Sequence, residues 1–259
     1  MAFAAALCYP VSLSMYARLS PKDQSALLRE VIARCSHAAS TPTPVVVFDL
    51  DGTLMDNRPR TCAILHDYSA SIEARHADVA KRLRDARPDE LAYLLTESLE
   101  RLGITHVDLI AEATAFWRER FFADGYLMHD AALPGAVDFA KACYDAGAIL
   151  VYLTGRDLPL MGIGSFKSLR DLGFPIGIAG TELVLKPDAA MPDEAFKRDT
   201  APVLARVGKV VAAFDNEPAN CNIFQRLYPD AKSVLVDTQH MPGAPPLDAG
   251  VSVVVDFRA

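Results

Sequence analysis

The stretch Val45-Val-Val-Phe-Asp-Leu-Asp-Gly-Thr-Leu54 decides how this chain is read. Thr41-Pro-Thr-Pro44 stands before it, and each proline pushes the residue preceding it out of the α region, so a new element starts here. Val45 to Phe48 is a β-branched and aromatic run with no polar side, which suits a strand buried on both faces of a parallel sheet. Two carboxylates follow at once, Asp49 and Asp51. If the strand continues, residues two apart point to the same face. Two carboxylates so placed repel unless a cation or a proton intervenes. A divalent ion with a preference for oxygen ligands resolves the conflict. Gly52-Thr53 then lets the backbone turn sharply.

Two further strand ends carry polar clusters. Ile149–Leu153 predicts a strand running into Thr154-Gly-Arg-Asp157, and Val210–Phe214 predicts one running into Asp215-Asn-Glu217. Around them, helical patterns cover 136–146, 165–172, 193–207 and 223–227, and further strands are expected over 182–185, 233–236 and 251–255. Strands alternating with helices predict an α/β fold, a parallel sheet with helices on both faces. The chemistry of such sheets gathers at the carboxyl ends of the strands. Three polar clusters on one edge of the sheet are therefore expected to meet. Asp49, Asp51 and Asp215, with no Cys or His among them, suit Mg²⁺ rather than zinc.

Residues 57–130 differ in character. They are rich in charge, hold Pro88 as the only proline between Arg60 and Leu133, and show helical spacing in Leu91–Leu95 and Leu109–Phe122. This predicts a helical insert. The expected organisation is a helical N-terminal extension over 1–44, an α/β core over 45–56 and 131–259, and the insert between its two parts. Within the extension, residues 11–38 read as helical, with Ser20-Pro21 as N-cap and first helical residue.

Phe48-Asp-Leu-Asp-Gly-Thr-Leu54 closely resembles the first motif of the haloacid dehalogenase superfamily. Thr154 in Leu153-Thr-Gly-Arg156 resembles the second, and Asp215 in Ala213-Phe-Asp-Asn-Glu217 the acidic fourth. The resemblance spans about residues 45–237. It implies a Rossmann-like core with a helical cap at 57–130, inserted after the first motif. It also implies an Mg²⁺-dependent phosphohydrolase acting on a small phosphomonoester. In that family Asp49 would be the nucleophile, forming an aspartyl-phosphate, and Asp51 the general acid and then base. The Asp49 carboxylate, the Asp51 backbone carbonyl and Asp215 would hold Mg²⁺, with Glu217 or Asn220 reaching it through water. Gly52, Thr154, Gly155 and Arg156 would line the phosphate, although Arg156 could equally tether its loop in a salt bridge. The third motif requires a lysine, Lys197 at a helix start or Lys186 at a strand end, and the family's usual placement favours Lys197. A phosphomutase would use the same two aspartates, and a non-catalytic phosphate-binding member is the further alternative. The fourth motif lacks its commonest two-acid form.

Cap residues Arg58, Arg60, Trp117 and Arg118 are candidate substrate contacts, with Trp117, beside Phe116, Phe121 and Phe122, better suited to a core. His66, His76, His106 and His129 show no metal spacing. Composition sets the outer limits. The 259 residues carry 33 acidic and 26 basic groups and a formal charge of −7, and 51% are hydrophobic. A chain of this size buries roughly 70–75% of its unfolded surface. The acidic balance argues against a nucleic-acid scaffold but not against a small phosphorylated metabolite. The longest apolar run, Met1–Tyr9, is far short of the about 20 residues of a membrane span. It lacks the basic and small-x-small features of a secretory leader. Five scattered cysteines without a CxxC pair suit a reducing cytoplasm.

Overall fold

The structure is a computed structural model that describes residues 15–36 and 42–258. The apolar opening Met1–Tyr9, Cys8 and the outer parts of the 11–38 helical reading lie outside the described residues. Helix α1 (Pro21–Arg34) is shorter than that reading. It starts as expected, with the Ser20 hydroxyl accepting from the Asp23 amide. Strand β1 (Pro44–Phe48) follows, then the two-residue strand β2 (Met55–Asp56). Next come α2 (Arg58–Ile72), α3 (Ala77–Arg84), α4 (Leu95–Arg101) and α5 (Val107–Phe121), with 3₁₀ turns between and after them. Strand β3 (Ala131–Ala132) pairs antiparallel with β2, so the helical segment leaves and re-enters through a two-stranded stem. The stem is too short for a sequence pattern to reveal.

The chain continues through α6 (Ala136–Asp145), β4 (Ile149–Asp157), α7 (Leu158–Leu172), β5 (Thr181–Lys186) and α8 (Asp193–Thr200). It ends with β6 (Lys209–Asp215), α9 (Pro218–Leu227), β7 (Lys232–Val236) and β8 (Ser252–Val254). Six strands form one sheet in the order β5-β4-β1-β6-β7-β8, with every pairing parallel. Helix α7 starts earlier than its apolar spacing indicated, because Asp157 accepts from the Leu160 amide and caps it. The expected helix 193–207 is α8 followed by a 3₁₀ turn over Ala201–Arg206, where Pro202 removes a backbone donor.

Alternation along the strands divides the core. Val46, Phe48, Leu150, Tyr152, Ala212 and Phe214 face α1 and α6, with Phe139, Cys143 and Leu28 packed on them. Val45, Val47, Val151, Leu153 and Ala213 face the opposite side, against Phe196, Leu204 and Phe224. β1 is wholly buried because it has neighbours on both edges and helices on both faces. The helical segment has an apolar cluster of its own, including Leu65, Tyr68, Leu83, Leu99 and Leu109. Each fully buried aliphatic or aromatic side chain stabilises its layer by about 1.5–3 kcal/mol.

Candidate active site

Strand order places the candidate residues. β1 lies between β4 and β6, with Phe48 opposite both Tyr152 and Phe214, so Asp49 and Asp215 emerge side by side and Thr154 follows one residue further along β4. Asp49 stays in register, its amide donating to the Phe214 carbonyl. The strand does not continue to Asp51, contrary to the alternation argument. The amides of Thr53, Leu54 and Met55 all turn back onto the Leu50 carbonyl. Asp51 therefore leaves the sheet and does not share a face with Asp49. Gly52 makes the turn possible, with φ +77° and a position where a Cβ would lie 2.5 Å from Asn216 Nδ2.

Lys197 joins the two carboxylates at the sheet edge. Its Nζ donates to Asp49 Oδ1 at 2.7 Å and to Asp215 Oδ2 at 2.6 Å, and the residue is 3% exposed. Thr53 Oγ1 donates to the other Asp49 oxygen at 3.0 Å. Asp215 Oδ1 accepts from the Glu217 amide and from Asn220 Nδ2. Burial raises the Asp49 carboxyl, Lys197 pulls it back and Asp215 lifts it again, to about 7. Burial works against the Lys197 charge, but Asp215 and Asp49 outweigh it and hold the ammonium well above the ordinary lysine range. Lys186 is elsewhere, paired with Asp193 and the Met191 carbonyl.

Asp51 faces a different set of partners. Arg156 Nε and Nη2 grip both of its oxygens at 2.7 and 2.9 Å, and Arg60 Nη2 reaches Oδ1 at 2.6 Å. Burial alone would raise this carboxyl, but Arg156 and Arg60 together hold it far below the usual carboxylate range. Both arginines also bind Asp130. Arg156 is 2% exposed and its guanidinium is occupied by carboxylates, so it tethers Asp51 and is not presented to an anion. Arg60 is fully buried and likewise engages Asp51, not open solvent.

The remaining candidates separate cleanly. Thr154 is buried and its Oγ1 accepts from the Arg156 amide. Gly155 lies under Asp193, whose carboxylate a Cβ there would strike. Glu217 accepts from the Met241 amide; burial and Asp215 raise it to about 7. Arg58 pairs with Asp56, and Arg118 is exposed. Trp117 stacks on Phe121 and packs against the insert's apolar cluster, as its stripe indicated. His66, His106 and His129 are exposed and His76 is half-buried. Sequence reasoning missed Asp130, Asn216 and Tyr93. Asn216 lay in the quoted cluster without a role, Asp130 and Tyr93 carry no local pattern, and Asp130 meets Arg60 from 70 positions away.

The donor set is compatible with a hard divalent ion. Among the described residues, no group of three or more His, Cys, Asp or Glu side chains is arranged to hold a metal. Two carboxylates, Asp49 and Asp215, do converge, and no backbone amide donates to the Asp51 carbonyl among the described hydrogen bonds. With the Asp51 carbonyl that the resemblance adds as a third donor, Asp49 and Asp215 would give an all-oxygen set, which suits Mg²⁺.

No family model matches the chain, and no curated protein matches it. Among solved structures it is similar to a candidate phosphatase from Clostridium difficile, at 17% identity over 81% of this chain and 93% of that one, with a TM-score of 0.52. It is also similar to a candidate haloacid dehalogenase-like hydrolase from Bacteroides fragilis, at 15% identity over 81% and 95% of the two chains, with a TM-score of 0.44. A third is Protein Tyrosine Kinase A of Mycobacterium tuberculosis, at 17% identity over 82% and 93%, with a TM-score of 0.49. The parallel six-stranded sheet with helices on both faces is a Rossmann-like α/β core. What the chain shares with the Clostridium difficile structure is this fold. Among the described residues, no helix is long and apolar enough to cross a membrane.

Proposed function

We propose that this chain is a phosphohydrolase that cleaves a small phosphomonoester through an aspartyl-phosphate on Asp49. The observation that carries the reading is Lys197 Nζ set between Asp49 and Asp215 at the carboxyl edge of the sheet. A buried ammonium in that place orients the nucleophilic carboxylate and offsets charge on a transferring phosphoryl group. An Asp49 oxygen attacks phosphorus, and the ester oxygen departs with its bonding pair and takes the proton of the Asp51 carboxyl, leaving Asp51 as a carboxylate. Water then attacks the acyl phosphate, loses a proton to Asp51, and Asp49 is regenerated. Asp51 as held by Arg156 and Arg60 is a carboxylate, the form this second step requires. Thr154 and the Gly155 backbone border the phosphoryl position.

Asp49, Asp215 and the Asp51 carbonyl would hold Mg²⁺. Bound there, the ion would supply charge neutralisation for the carboxylates and the phosphate. The helical segment 57–130 is read as a cap that excludes water and selects the leaving group, with Tyr93 beside Glu217. The expected substrate is a phosphorylated cytoplasmic metabolite.

One observation favours a second reading. Two arginines on Asp51 oppose its protonation, which the departing alkoxide needs, and this suits a non-catalytic phosphate-binding protein. One experiment separates the two: release of inorganic phosphate from p-nitrophenyl phosphate and from a panel of phosphorylated metabolites, with Mg²⁺. Turnover that disappears in Asp49→Asn, with circular dichroism unchanged, supports the hydrolase. Phosphate binding without turnover supports the alternative.

A further inference from the structure

Arg60 stands in the first turn of α2, in the helical segment, yet its guanidinium ends at a residue of the core. Nε and Nη2 grip the two oxygens of Asp130 at 2.8 and 2.9 Å, and Nη2 also donates to Asp51 Oδ1 at 2.6 Å. Nη1 donates to the Phe121 carbonyl at 3.1 Å, and the guanidinium lies over the Phe121 ring, 4.3 Å from its centroid. From the core, Arg156 meets the same Asp51 and Asp130. The four side chains carry two positive and two negative charges and form one closed network. Within it, Arg60 is the only member supplied by a helix of the segment between β2 and β3.

Asp51 depends on this network for its orientation. It lies past the end of β1, in the turn closed on the Leu50 carbonyl, so no sheet ladder aims its side chain. Its remaining side-chain contact, from Asn57 at 3.4 Å, is long. A guanidinium fixed by a carboxylate fork, a carbonyl and a ring face has a set plane, which a lysine could not reproduce. We infer that Arg60 is a positioning residue through which the helical segment sets the orientation of the Asp51 carboxylate. The catalytic consequence of this rests on the hydrolase reading. The physical coupling does not.

The chain contains one tryptophan, and it reports on this contact. Trp117 stacks on Phe121 at 4.3 Å and donates to Thr61, the neighbour of Arg60. Its emission thus senses how Arg60 sits on Phe121. Arg60→Met alone would leave the network with an excess negative charge and risk unfolding, so it is paired with Asp130→Asn, which restores the balance. Emission spectra are compared for the native chain, Asp51→Asn, Arg60→Met/Asp130→Asn and the triple variant, with thermal denaturation confirming that each is folded. Asp51→Asn is expected to shift Trp117 emission in the native background and to have no effect when Arg60 is gone. An equal shift in both backgrounds, or none in the native one, overturns the inference.

Turnover supplies the second arm. Arg60→Met/Asp130→Asn is expected to lower kcat roughly a hundredfold, the scale of acid–base assistance, while KM stays within about threefold. Unchanged kcat in that variant overturns the positioning role. If the native protein hydrolyses no phosphomonoester, the hydrolase reading fails, and the emission spectra still decide the coupling.

Discussion

Asp49→Asn should make the metal-free protein more stable while it removes activity. Asp49 is 6% exposed and shares Lys197 with Asp215, so two buried carboxylates have one close cation between them. The carboxyl is raised from the ordinary 3.8 to about 7. Between those values the folded chain binds more protons at Asp49 than the unfolded chain does. Stability therefore falls as pH rises through this window. At about 1.4 kcal/mol per pH unit, the full cost above pH 7 is about 4 kcal/mol. Asparagine is neutral and of nearly the same shape, but its imperfect hydrogen bonds lose about 1 kcal/mol of that gain. The expected net is about 3 kcal/mol at pH 8, roughly 6–12 °C in Tm for a chain of this size. Near pH 4 the advantage should vanish. Thermal denaturation of both proteins at pH 4, 6 and 8 in a chelator measures this directly. Millimolar Mg²⁺ should then stabilise the native protein and leave Asp49→Asn unmoved, since only the former keeps the ligand. An Asp49→Asn protein less stable than native at pH 8 in chelator would refute the argument that this carboxylate is strained by its burial.

Lys197→Ala is expected to lower turnover by roughly 10²–10³, as for loss of a charge-stabilising donor. Lys186→Ala, which removes the pair with the exposed Asp193 and the bond to the Met191 carbonyl, should cost about 1–2 kcal/mol and leave kcat near native in the same assay. Chelation should abolish p-nitrophenyl phosphate hydrolysis and Mg²⁺ should restore it, read as phosphate release before and after back-titration. Gly52→Ala forces a side chain into a positive φ and against Asn216, and is expected to cost about 1–3 kcal/mol by denaturant melting.

The local pattern of residues 45–54 was enough to place a buried parallel strand ending in a carboxylate. The run Val45–Phe48 has no polar side and leaves no other home for it. The clusters at Thr154 and Asp215 were legible for the same reason: each follows an apolar run at a strand end, and parallel topology brings such ends together. Helix α1 and the insert were visible as periodicity, the stem β2–β3 was not, and two-residue strands leave no period to read.

The direction of Asp51 lay beyond any such reading. Two residues along a strand would have put it beside Asp49, but three amides closing on one carbonyl rotated it out of the sheet. Its partners come from positions 9 and 105 residues away, and Asp130 meets Arg60 across 70. The resemblance favoured Lys197 over Lys186, but only packing brings an ammonium between β1 and β6: Lys197 reaches there from the middle of α8, while Lys186 at the end of β5 pairs with Asp193. Sequence by itself determined the strand ends and the residue types that gather there, because hydrophobic alternation and chain breaks act locally. Only the tertiary structure decided which charges neutralise which, because ion pairing in a buried site depends on distance in space and on the absence of water, neither of which is written in the order of residues.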